Sequence, residues 1–187
     1  MEKADSAQLS RRSFCTLGVL AAAGTLVPRS VLAATTVGNR ELSFFNTQTS
    51  EQLTSLYCCD NRYEPAALSK INHILRDHRA NEVKEIDVRL LDLLHELGGT
   101  LQTSSPYHVI SGYRSPGTNA ILRAQGGAHT GVASKSFHMV GKAIDIRVPG
   151  LPLQELRRAA VSLKAGGVGY YPDLNFVHVD VGRVRYW

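Results

Sequence analysis

Between Asn175 and Gly182 the chain reads NFVHVDVG, an alternation of apolar and polar residues with a period of two and not the 3.6 of a helix. As a strand it places Phe176, His178 and Asp180 on one face and Val177, Val179 and Val181 on the other. Three valines form a core-facing set, so His178 and Asp180 are expected on the opposite surface of a sheet. A second segment, SFHMVGKAIDIRV from Ser136 to Val148, adds a matching constraint. Fully extended, it would hold His138 and Asp145 roughly 23 Å apart, at about 3.3 Å per residue. Gly141 permits the chain to fold back, and Ile144, Ile146 and Val148 give the run after Lys142 the character of a strand.

If these two strands are neighbours, Asp145 alternates against Ile144 and Ile146 and faces the same cleft as His178. The turn at Gly141 then returns His138 to complete a set of two histidines and one carboxylate. Such a set suits a catalytic zinc ion, which takes neutral imidazoles and a carboxylate and keeps a position open. Zinc lowers the pKa of water to about 7 and polarises carbonyls, chemistry that serves amide hydrolysis. The same three residues also suit a polar network or a solvated surface, because Asp145 and His178 are far apart in sequence and lack the compactness of an HExxH signature.

The N-terminal segment belongs outside the fold. SRRSFCTLG, Ser10 to Gly18, sets paired arginines before an apolar stretch from Leu17 to Val27 and resembles a twin-arginine export signal. Val31 and Ala33 flank Leu32, so cleavage is expected after Ala33, leaving 34–187 as a single domain and the periplasm as its destination. The apolar stretch is about half the roughly 20 residues of a membrane-spanning helix, so no stable transmembrane anchor is expected. The whole chain carries +5; removing the signal's net +2 leaves +3, too modest to select nucleic acid as a partner. Cys58 and Cys59 are adjacent, a poor geometry for a mutual disulfide, and are expected to be free.

Periodicity predicts a helix from Pro65 to about His78, with Leu68, Ile71 and Leu75 on one side, and another over Val83 to Leu97, stopped by Gly98 and Gly99. Tyr107 to Gly112 reads as a strand, followed by a turn in which Thr118 or Asn119 caps a short helix. A polar, glycine-rich stretch from Gln125 to Ser136 is expected to rim the site. A further helix begins near Pro152 and stops at Gly166 and Gly167, before two short strands joined near PDLN. The sum is an α+β fold, helices packed against a small antiparallel sheet.

SGYRSPGTN, SFHMVGKAIDIRVPG and GGVGYYPDLNFVHVDVGRVRYW together resemble the YcbK-like family of exported murein endopeptidases, related to the zinc D-Ala-D-Ala peptidases and the Hedgehog-type fold. The resemblance covers roughly Phe44 to Trp187. It implies a Zn2+ site at His138, Asp145 and His178, peptidoglycan stem peptides as substrate, meso-diaminopimelate-to-meso-diaminopimelate crosslinks among the bonds cleaved, and a role in the active cleft for Arg114. The chain departs from the wider peptidase pattern at Asn175 and Phe176, where many relatives carry an acidic or histidine catalytic group. Asp180 is then the leading acid/base candidate; its alternative role is to accept a hydrogen bond from a metal-binding imidazole. His129 is a second candidate, carried on the rim. Tyr113, Tyr170 and Tyr171 are candidates for a peptide groove. A cell-wall-binding module that keeps the metal without catalysis is the competing reading.

Overall fold

The computed structural model describes residues 38–126 and 132–187; the expected signal segment and His129 lie outside them. Chain order is β1 (Arg40–Asn46), β2 (Gln52–Cys59), β3 (Arg62–Tyr63), α1 (Pro65–Ile74), α2 (Val88–Thr100), β4 (Tyr107–Ser111), α3 (Pro116–Gly126), β5 (Ala143–Arg147), α4 (Leu153–Leu163), β6 (Gly167–Tyr171), β7 (Phe176–Asp180) and β8 (Arg185–Tyr186). Single helical turns at Phe137–Val140 and Pro172–Leu174 precede β5 and β7.

The strands form one sheet in the order β3-β2-β1-β4-β5-β7-β6-β8. The class is the α+β arrangement expected, but the sheet is mixed: β1 pairs with β4, and β6 with β8, in parallel. Two helices separate β3 from β4, and a crossover of that length can deliver a strand in either direction, unlike a tight hairpin. The tight turn at Asp60 and Asn61, both at positive φ, joins β2 to β3 as an antiparallel pair.

The isoleucines of β5 and the valines of β7 point into one apolar core with α2 and α4, where Leu90, Leu94, Leu97 and Leu156 are fully buried beside Ile144, Ile146, Val177 and Val179. Alternation then commits Asp145 and His178 to the other face. Helix bounds differ from periodicity for local reasons. After α1, Asp77 accepts the backbone N–H groups of Arg79 and Ala80, drawing the chain into a loop that bridges back at Glu82. The start of α2 waits for Asp87, whose side chain caps Arg89 N–H; just before it, Ile86 N–H is taken by Asn72 and Asp87 N–H by Gly141. Gly98 and Gly99 lie inside α2, which ends at Thr100, just before Gln102 takes a positive φ. Cys58 and Cys59 are free, and the Arg40 guanidinium donates to Cys58 Sγ at 2.9 Å.

Candidate metal centre

Three neighbouring segments supply the donors. In the β5/β7 ladder Asp145 stands directly opposite His178, and Ser111 of β4 lies on the other side of Asp145. His138 sits on the turn Phe137–Val140, which Ser136 caps by accepting His138 N–H. The turn closes at Gly141 with φ +66, and a Cβ there would run into the Glu85 carbonyl oxygen, so both conformation and space require glycine. This reversal brings His138 back over β5.

His138 Nε2 lies 3.2 Å from His178 Nδ1 and 3.3 Å from Asp145 Oδ1, and His178 Nδ1 lies 2.8 Å from the same oxygen. Zinc held tetrahedrally at about 2.0–2.1 Å sets its donors roughly 3.3 Å apart, so the triangle has the edge lengths of a zinc face. The outer nitrogens agree. His138 Nδ1 donates to the Gly112 carbonyl at 2.7 Å and His178 Nε2 donates to Asp180 Oδ2 at 3.1 Å. Each imidazole thereby keeps its unprotonated nitrogen for the shared centre. His138 and Asp145 are buried and His178 is half-buried, and the residues present fit zinc.

Electrostatics confirm how much positive charge the cluster accepts. Burial opposes ionisation of Asp145, yet His138 and His178 hold its carboxyl well below the ordinary range. Burial likewise pulls His178 down, but Asp145 and Asp180 outweigh it and push the imidazole up to about 9 in the absence of an ion. A proton thus occupies the charge role that a metal cation takes when bound.

Arg114 follows β4. Its guanidinium lies 3.7 Å from Asp145 Oδ2, its backbone N–H donates to the His138 carbonyl, and Asn119 and Ser111 accept from its terminal nitrogens at 3.4 and 3.3 Å. Its buried Nε has no partner among the described residues. Burial lowers the pKa of this guanidinium, with Asp145 opposing the shift. Asp180 is fully buried and does not line the cleft. Besides His178, it accepts N–H groups from Gly167 at 3.2 Å and Gly182 at 2.8 Å and a two-pronged contact from Arg185 at 3.0 and 2.6 Å. Burial alone would raise its pKa, but these donors hold it well below the ordinary carboxyl range.

The donors open into a cleft of about 450 Å³ walled by Tyr171, Phe176 and Trp187. Tyr171 stacks on Phe176 with centroids 4.7 Å apart, and Trp187 donates to the Tyr171 hydroxyl while lying 5.4 Å from the His178 ring. Of the other expected groove residues, Tyr113 is buried in the core and Tyr170 lies against Arg157. His73 faces Glu51, His95 faces the Glu41 carbonyl and His108 lies against Phe45, all away from the cleft. Arg183, Arg185 and Trp187 were absent from the expected site although all three line it. Their period-two spacing in RVRYW is the signal that identifies them.

An α+β sheet presenting two tautomer-fixed imidazoles and a carboxylate in one buried triangle defines a zinc-peptidase-type protein of the D-Ala-D-Ala peptidase-related fold. The family model described as "Peptidoglycan L,D-endopeptidase MepK" matches residues 34–187. The chain belongs to this family. It is 42% identical over 188 residues to the protein of that name in Escherichia coli K12, and to its Shigella flexneri counterpart, covering 100% of both chains in each case. It is 41% identical over 180 residues to the "Probable peptidoglycan L,D-endopeptidase MepK" of Haemophilus influenzae, covering 95% of each chain. No solved structure matches the chain.

Proposed function

We propose that this zinc-dependent peptidoglycan endopeptidase cleaves the amide joining two meso-diaminopimelate residues of crosslinked stem peptides. The carrying observation is the triangle of His138, Asp145 and His178 at the base of a cleft, in a chain of the L,D-endopeptidase family. A crosslink from the L-centre of one diaminopimelate to the D-centre of the next is an L,D bond, which matches the designation its relatives carry.

Zinc in the triangle supplies Lewis acidity toward water and the amide carbonyl. The chain's residues supply the rest. Arg114 stabilises negative charge on the attacked carbonyl oxygen, a role supported by its buried guanidinium beside Asp145. Full burial and occupied oxygens support a holding role for Asp180: it keeps the His178 ring oriented with Nδ1 toward the centre. Tyr171, Phe176 and Trp187 form an apolar wall that shields the reacting groups from bulk water.

Residues 1–33 act as a cleaved twin-arginine signal and the mature domain works in the periplasm. The family match begins at residue 34, and among the described residues no helix is long and apolar enough to cross a membrane. A metal centre assembled from segments 40 residues apart exists only in the folded chain, which suits an export route that accepts folded cargo.

One observation favours a binding module over an enzyme: Asp145 is the one carboxylate among the described residues lining the cleft, and Asn175 and Phe176 replace the acid/base of wider relatives. Mass analysis of products from purified, zinc-loaded protein on defined crosslinked muropeptides decides between them. New amino and carboxyl ends at the diaminopimelate bond are expected, lost on chelation and restored by zinc. Intact crosslinks at full zinc occupancy, with binding to purified sacculi retained, would establish the binding module.

A further inference from the structure

The cleft carries more positive charge than its own residues neutralise. Arg114, Lys135, Arg183 and Arg185 line it, against the single carboxylate of Asp145 among the described lining residues. Two of these cations are engaged: Arg114 faces Asp145, and Arg185 grips Asp180. Lys135 and Arg183 are exposed, and neither forms an ion pair among the described residues. Zinc would consume the Asp145 charge and leave the cavity more positive still.

The segments carrying the two free cations adjoin. The Phe137 ring lies where a Cβ on Gly182 would stand, at 2.7 Å, and the Arg185 guanidinium sits 5.2 Å over the same ring. Lys135, two residues before Phe137, and Arg183, one after Gly182, therefore flank a common seam at the edge of the metal cleft. Like charges brought together on one cavity repel unless an anion joins them.

Resting on the endopeptidase reading, we propose that Lys135 and Arg183 bind the free carboxylate on the leaving side of the crosslink. When a diaminopimelate amine is acylated, the carbon bearing that amine still carries its own carboxylate, so a negative charge sits two bonds from the scissile nitrogen. The aromatic wall offers a surface for the apolar methylene chain, while the cations hold the carboxylate. The pair selects crosslinks whose carboxylate is free over those in which it is amidated. Arg183 can meet a carboxylate with two parallel N–H groups and Lys135 adds a point charge.

Wild type, Lys135→Ala, Arg183→Ala, the double variant and Arg183→Lys, all zinc-loaded, are compared on a crosslinked muropeptide with free carboxylates and on its amidated counterpart. Both side chains are exposed, and unchanged melting temperatures verify folding. On the free substrate each alanine variant is expected to raise KM about 5- to 20-fold with kcat little altered, as for loss of a charge-assisted hydrogen bond. On the amidated substrate the wild type shows the same penalty and the variants add little to it. Arg183→Lys recovers part of the loss. Binding is read separately from turnover through fluorescence of Trp187, the one tryptophan and a wall of the same cavity, on titration with the released diaminopimelate peptide. Wild-type affinity in the double variant, or equal KM for free and amidated crosslinks in the wild type, overturns the carboxylate site. Failure of the wild type to cut either crosslink overturns the endopeptidase reading and the selection built on it, a result distinct from cleavage without discrimination.

Discussion

Asp77 offers a quantitative test of how the loop carrying Arg114 is held. It is 2% exposed, and its carboxylate accepts N–H groups from Ser115 at 2.8 Å, Arg79 at 3.0 Å and Ala80 at 3.3 Å. Burial alone would raise its pKa, but the hydrogen bonds from Thr118 and Ser115 prevail and bring it from 3.8 to about 2. That displacement corresponds to about 2–3 kcal/mol of stability. Because the folded value is depressed, this contribution is complete above about pH 4 and is lost as pH falls through about 2. Asp77→Asn cannot present acceptors to all three N–H groups and turns an amide donor toward at least one. The expected deficit is about 2–4 kcal/mol at pH 7, shrinking by about 2 kcal/mol between pH 4 and 2 as the wild type protonates. Urea unfolding of both proteins across pH 2 to 7 measures it, and titrations common to both cancel in the difference. A deficit that stays constant over this range would refute the reasoning, as would one below about 0.5 kcal/mol at pH 7.

Asp180→Asn should weaken zinc binding about 10- to 100-fold, since it removes the negative charge and leaves one acceptor oxygen for the donors of His178, Gly167, Gly182 and Arg185; competition with a chromogenic chelator reads it, and unchanged affinity with reduced turnover would instead mark a proton carrier. Arg114→Ala should lower kcat about 100- to 1000-fold with zinc occupancy retained, and turnover near the wild-type value at full occupancy would remove Arg114 from charge stabilisation. Gly112→Ala should destabilise the fold by more than about 1 kcal/mol, because its Cβ would enter the Leu75 carbonyl and displace the partner of His138 Nδ1; thermal unfolding checks it, and a melting temperature equal to the wild type would show that the backbone yields there at no cost.

The parts of the fold visible in sequence were those fixed by local pattern. Val177 and Val179 alternate because one face of β7 is buried, and Leu90, Leu94 and Leu97 recur because one side of α2 is. Boundaries set by distant groups left no such trace. Asp77 shortens α1 by ordering a loop that is itself anchored to Ser115, 38 residues on. The segment before α2 is held by Gly141, across the fold. Parallel pairing of β1 with β4 depends on how two helices cross the sheet, and no residue in either strand records it.

The metal centre was legible for a different reason. A strand fixes which face each residue takes and Gly141 permits the chain to turn back, so period and turn allow His138, Asp145 and His178 to meet on condition that β5 and β7 are neighbours, which the ladder supplies and no local pattern records. The same rule applied to RVRYW separates Arg183, Arg185 and Trp187 from Val184 and Tyr186, and all three of the first set line the cleft. Alternation cannot say which member serves which end. Arg185 turns inward to Asp180, a contact that requires the β6/β8 pairing to bring Arg185 opposite Gly167, whose missing side chain leaves the room. Arg183, two residues earlier in the bend before β8, forms no ion pair among the described residues and is exposed at the cleft. Two arginines that line one cleft thus divide into a support for His178, held in β8 by its pairing with β6, and a cation in the bend before β8 that is open to substrate.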